Sequence, residues 1–167
     1  MIQLTGIADE AGASLDVQIN AHQALGWGSI EARMVEYDGV KANLHELPEA
    51  VFDKVCERLA EQNMQVCGFG SLIGNWAKKI TDDFSITEAE INRAIPRMQK
   101  LGAKLVRVMS YAVCKDENGK DLPEQHDAER VRRMSEIQKR FADAGLTVVH
   151  ENCMNWGGMS PTYVKRM

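Results

Sequence analysis

Short apolar runs alternate along the chain with longer stretches in which apolar side chains recur every three or four positions. Those are the periods of strands and of amphipathic helices. Residues 2–8 make the first apolar run. A helical pattern follows behind Ser14, with Leu15, Ile19, His22 and Leu25 on one face and Gly26 as its stop signal. Residues 29–33 predict a second strand. A helix opens near Leu47-Pro48-Glu49, where a proline in the first turn loses no hydrogen bond, and it should bury Phe52, Val55, Cys56 and Leu59. A third strand is predicted over 64–69, a third helix over 87–101 and a fourth strand over 104–110. Val131, Met134, Ile137, Phe141 and Ala144 mark a fourth helix, and 146–151 a fifth strand. Pro96 falls inside the third helix, where it removes one backbone hydrogen bond.

Three helix-to-strand joints repeat: Leu25-Gly26-Trp27-Gly28, Leu101-Gly102-Ala103-Lys104 and Ala144-Gly145-Leu146-Thr147. In each, glycine stands where a helix must end in a left-handed conformation. Strands begin near positions 29, 64, 104 and 146, a strand-plus-helix period of about 40 residues. No hairpin linker is read between them, so the strands should be parallel with helical crossovers. Two architectures use that unit, the open doubly wound sheet and the closed eightfold barrel. Ser160 and Pro161 read as the N-cap and first position of a further helix that the chain only begins. The sequence thus reads as cut short.

A composition of 44% hydrophobic and 26% charged residues is that of a soluble globular domain, expected in the cytoplasm because residues 1–6 carry no secretory signal. No apolar run approaches the roughly 20 residues of a membrane span. A net charge of −4 argues against nucleic-acid partners, and the basic cluster at 129–133 is interleaved with acid, as on a solvated helix face. Cys56, Cys67, Cys114 and Cys153 are too widely spaced for a disulfide framework or a structural zinc site. Free thiols are expected, with Cys67 packed in a strand.

The densest chemistry lies at His150-Glu151-Asn152-Cys153-Met154-Asn155-Trp156, just past a hydrophobic strand. Parallel α/β folds place ligand-contacting groups there. Alternation puts Thr147, Val149 and Glu151 on one face and Val148 and His150 on the other. An inward carboxylate needs a metal, a basic partner or a substrate hydroxyl, whereas His150 reads as a histidine packed under a helix. Glu31 and Arg33 share a face of the second strand, as a binding rim or a buried ion pair. Arg107, Asp9 and Glu10 complete a polar ring at the strand ends. The glycine-rich 68–74 segment matches neither a dinucleotide fingerprint nor a phosphate loop and reads as a flexible loop.

Ala8-Asp9-Glu10, Ile30-Glu31-Ala32-Arg33, Val106-Arg107-Val108-Met109-Ser110 and Val149-His150-Glu151-Asn152, in that order and spacing, resemble the xylose-isomerase-like barrel superfamily, in particular its sugar-phosphate isomerase/epimerase branch. The resemblance implies an α/β fold, a partial (β/α)8 TIM barrel with about five parallel strands and four to five helices, forming one domain over 1–167. It implies a small polyhydroxy carbonyl substrate or its phosphate and a divalent metal (manganese, magnesium, cobalt or zinc). Glu151 matches the family's metal ligand and acid–base residue; Glu31, Arg33, Arg107, Asn152 and Trp156 would line the substrate cleft. The family's other ligands, an Asp, a His and a second Glu, belong to later strands. Metal binding and turnover by this chain alone are therefore expected to be weak or absent, and open sheet edges should favour self-association. The competing reading is a non-catalytic barrel remnant or interaction module, silent in metal titration and epimerisation. An abasic-site endonuclease of the same superfamily would need more metal-binding histidines and a basic groove.

Overall fold

The computed structural model describes residues 4–166. Its elements are α1 (Leu15–Ala24), β1 (Ser29–Ala32), β2 (Met34–Tyr37), β3 (Val40–Asn43), α2 (Glu49–Glu61) and β4 (Gln65–Gly70), followed by α3 (Phe84–Leu101), β5 (Leu105–Val108), α4 (Asp127–Asp143), β6 (Thr147–His150) and α5 (Pro161–Val164). β1, β4, β5 and β6 make a four-stranded parallel sheet in that order, with helices as the crossovers. Contacts divide the chain into two compact units, Met1–Ser71 with Arg93–Val106 and Leu72–Asn92 with Arg107–Met167. Among the described residues no helix is long and apolar enough to cross a membrane.

In the first unit α2 turns Phe52, Val55 and Leu59 inward, as its periodicity predicts, while Cys56 is only half-buried. The Arg97 guanidinium lies 4.6 Å from the centre of the Phe52 ring and donates to Glu49 at 2.8 Å, tying the second half of α3 to the start of α2. Pro48 sits one position earlier than expected, at the N-cap.

Two expectations for this unit fail. The chain does contain a hairpin, β2 paired antiparallel with β3. Asp38 and Gly39 both take positive φ, 52° and 74°, as the two central positions of a type I′ turn require. The strands are only four residues long, too short to show a period. The described part of the first apolar run, in turn, does not make a regular strand. Ile7 forms a single parallel bridge to Glu31, whose N–H donates to Gly6 O at 2.9 Å, and Ala8–Glu10 then closes into a 3-10 turn. Residues 2 and 3 of that run lie outside the described residues.

The second unit packs Met134, Ile137 and Phe141 of α4 inward. The glycine-rich segment is not a loose loop. Gly68 to Gly70 belong to β4. Beyond it, Met109 N–H donates to Ile73 O at 3.0 Å and Tyr111 N–H to Gly74 O at 2.5 Å. Gly74 has φ +62°, and a Cβ there would collide with the Met109 carbonyl. The three joint glycines, Gly26, Gly102 and Gly145, take φ values of 72°, 70° and 73° as predicted. α5 is a single turn begun by Pro161, with Ser160 Oγ accepting from Thr162 N–H at 3.2 Å.

Candidate functional site

In the second unit the backbone ladder runs one residue past β6, because Glu151 N–H donates to Val108 O at 3.0 Å. That register sets the Glu151 side chain against Arg107 of β5. Arg107 Nη1 lies 2.5 Å from Glu151 Oε2, with the side chains 11% and 25% exposed. A carboxylate this shielded is costly without a counter-charge, and the guanidinium supplies a charge-assisted contact. Val149, two positions back on the same face, is exposed, so this face of the strand meets solvent at its carboxyl end.

The loop carrying Glu151 is held by Asn155, which is fully buried. Asn155 Oδ1 accepts from Ser110 Oγ at 2.5 Å, from Ser110 N–H at 3.3 Å and from Gly158 N–H at 3.3 Å. Its Nδ2 donates back to Glu151 O at 2.9 Å. Ser110 Oγ also accepts from Gly157 N–H at 2.7 Å. His150 points to the other side of the strand, its Nε2 3.1 Å from Asn155 Oδ1 and 3.2 Å from Ser110 Oγ. There it borders Met134, Ser135 and Gln138 of α4, as expected of a histidine under a helix. Burial pushes its pKa down, against the opposing pull of Asn155 and Glu151.

The remaining expected site residues fall in different settings. Asn152 is exposed beside Glu151. Trp156 is fully buried, stacked on Tyr163 at 4.7 Å between ring centres, with the Arg130 guanidinium 5.4 Å away. It is an interior ring, stacked within the fold and not exposed at a cleft. In the first unit Glu31 is half-buried on β1. Arg33 lies just beyond that strand and pairs with Asp9 and Glu10 instead of Glu31: Nε donates to Asp9 at 2.9 Å and Nη2 to Glu10 at 2.7 Å. Burial lowers the Arg33 pKa, but these hydrogen bonds outweigh it and the net shift is upward. Within this unit Asp9, Glu10 and Arg33 form an ion-pair cluster.

Sequence reasoning missed Ser110 and Asn155 as the organising pair of the loop. Both were visible as polar residues at strand ends, yet nothing local joins positions 45 apart. Among the described residues no group of three or more His, Cys, Asp or Glu side chains could hold a metal ion. Glu151 is paired with the Arg107 guanidinium, and with no cluster of three such donors among the described residues these side chains do not fit a divalent metal.

A family model described as xylose isomerase-like TIM barrel matches residues 19–165. The chain belongs to that family. Solved structures give the same fold: a xylose isomerase-like TIM barrel protein from Mycobacterium smegmatis in complex with magnesium superposes with a TM-score of 0.70 at 12% identity, over 98% of this chain and 58% of that one. A D-tagatose 3-epimerase-like protein gives a TM-score of 0.66 at 13% identity, over 97% and 58%. The D-psicose 3-epimerase of Clostridium cellulolyticum H10, solved with D-tagatose, gives 0.62 at 15% identity, over 97% and 59%. The chain thus spans under three fifths of these relatives' length, and its fold is a partial xylose isomerase-like barrel. No curated protein matches it.

Proposed function

We propose that this xylose isomerase-like chain carries sugar isomerase/epimerase chemistry, with Glu151 as the group that removes the proton beside the carbonyl of a small ketose. The observation that carries the reading is the Arg107–Glu151 pair at the carboxyl end of adjacent parallel strands, the end at which barrel folds present reactive groups. The names of its structural relatives supply the substrate class. In this reading Glu151 acts as general base. Arg107 then stands next to the negative charge that develops on the enediolate oxygen and stabilises it. In this reading Asn152, exposed beside them, contacts a sugar hydroxyl.

One carboxylate can take a proton from one face of a carbon and return it to that face. Delivery to the opposite face needs a second group, and this reading assigns that role to no residue beside Glu151. The activity proposed for this chain by itself is therefore solvent exchange at the ketose carbon with little net epimerisation. The test is proton NMR of D-tagatose or D-psicose with the purified chain in D2O, with magnesium added because one relative holds it. Loss of the H3 signal without a new sugar supports the reading. A signal that persists as in buffer alone favours the non-catalytic remnant.

A further inference from the structure

Arg130, on α4, is fully buried. Its guanidinium donates to Gln125 O at 2.6 Å, Ser110 O at 2.6 Å and Ala112 O at 2.7 Å, and to Cys114 Sγ at 3.4 Å. No carboxylate hydrogen-bonds to it among the described residues; Asp127, which acts on it through space, is itself paired with Arg166. A cation so placed is costly without an anion nearby, and arginine does not give up its charge to escape the cost.

Cys114 is also part of the wall of a cavity of about 360 Å³ in the same unit, lined further by Lys79, Lys115, His126, Val113 and Leu122. No acid lines it. The charges around it are unevenly matched. Lys115 Nζ stands 3.5 Å from Asp121 and His126 Nδ1 3.8 Å from Glu124. Asp127 is engaged by Arg166. The Lys79 ammonium has no salt bridge among the described residues, although its backbone N–H donates to the Asp82 carboxylate at 3.1 Å. Lys79 and Lys115 thus stand in the lining, and Arg130, not itself part of it, lies behind the wall, bonded to the lining residues Ala112 and Cys114, where the buried surroundings screen its field little. Val113 and Leu122 add apolar wall.

We propose that this cavity binds a small anion, a phosphate or carboxylate carried on a compact apolar body, held by Lys79 and Lys115 over Arg130 with Cys114 in the wall. The site is independent of Glu151 and of the ketose chemistry assigned to it.

Cys114 supplies the readout. Iodoacetamide alkylates a thiol by forming a carbon–sulfur bond as iodide leaves and the thiol proton passes to buffer, and an occupant of the cavity shields that sulfur. The full chain is labelled in phenyl phosphate, in benzoate and in sodium chloride at equal ionic strength, and each cysteine is followed by peptide mass spectrometry. Phenyl phosphate or benzoate should slow Cys114 labelling about fivefold at about four times its dissociation constant, leaving Cys56 of the first unit unchanged. Which of the two protects identifies the headgroup. The double variant K79A/K115A, altered only at exposed positions, should keep its melting temperature and lose the protection. Equal slowing at Cys56, no slowing at Cys114 by either anion, or protection retained in the double variant overturns the proposal.

Discussion

Replacing Asn155 by alanine removes the hub of the loop that carries Glu151. The amide side chain serves five partners: Ser110 Oγ and N–H, Gly158 N–H, His150 Nε2 and Glu151 O. Not all are stranded by its loss. Ser110 Oγ keeps Gly157 N–H and the His150 ring, and Glu151 O keeps Cys153 N–H at 3.0 Å. The Ser110 and Gly158 amides lose their acceptor, and each buried unpaired group costs about 1–3 kcal/mol. Taking about 1–1.5 kcal/mol for each, because their bonds to Asn155 are long and Gly158 is only half-buried, the variant loses about 2–3 kcal/mol. For a chain of this size that lowers Tm by roughly 4–12 °C. Asn152→Ala, at an exposed neighbour, should stay within about 0.5 kcal/mol and is the control. Thermal melts of both variants followed by circular dichroism, with amide exchange at Gly158, make the assay. If N155A melts within a degree of wild type, or no lower than N152A, the hub does not hold the loop as described.

Two glycines at positive φ should separate by their surroundings. Gly39→Ala, with open space around its turn, should cost about 1 kcal/mol from the left-handed backbone alone; Gly74→Ala, aimed at the Met109 carbonyl, should cost at least about twice that in urea unfolding. Hydrogen bonds from Arg132 and Arg133 hold the Glu129 carboxyl down to about 2, against an ordinary value of 4.5. A lowered folded-state value means stabilisation that is full above about pH 4.5 and lost as the pH falls through about 2. Since Glu129 is a third exposed, the gain is at most about 1 kcal/mol. The stability gap between wild type and Glu129→Gln should therefore narrow between pH 4.5 and pH 2 and be constant above it; a gap that does not change over that range refutes the assignment.

What the sequence made legible was local. α2 and α4 announced their buried faces through side chains a turn apart, and the three joint glycines marked left-handed helix ends that depend on no distant neighbour. The β2–β3 hairpin was also locally coded, by Asp38-Gly39, and escaped notice because its strands are too short to show alternation. What stayed hidden depends on pairing across the chain. Arg33 meets Asp9 from 24 positions away, so its partner could as well have been Glu31 on pattern alone. Trp156 looked like a cleft residue because polar neighbours surround it in sequence. Its burial comes from Tyr163 and Arg130, which only the folded loop brings to it. Glu151 itself was legible as the notable carboxylate, but not its pairing with Arg107 of the neighbouring strand.

The most direct test of the account is the rate at which ketose H3 is replaced by deuterium, compared between the wild-type chain and Glu151→Gln at matched folded fraction. Wild-type exchange above the buffer rate, with Glu151→Gln at the buffer rate, is the result the account requires. Equal rates in the two proteins would contradict it, because the carboxylate beside Arg107 would then move no proton.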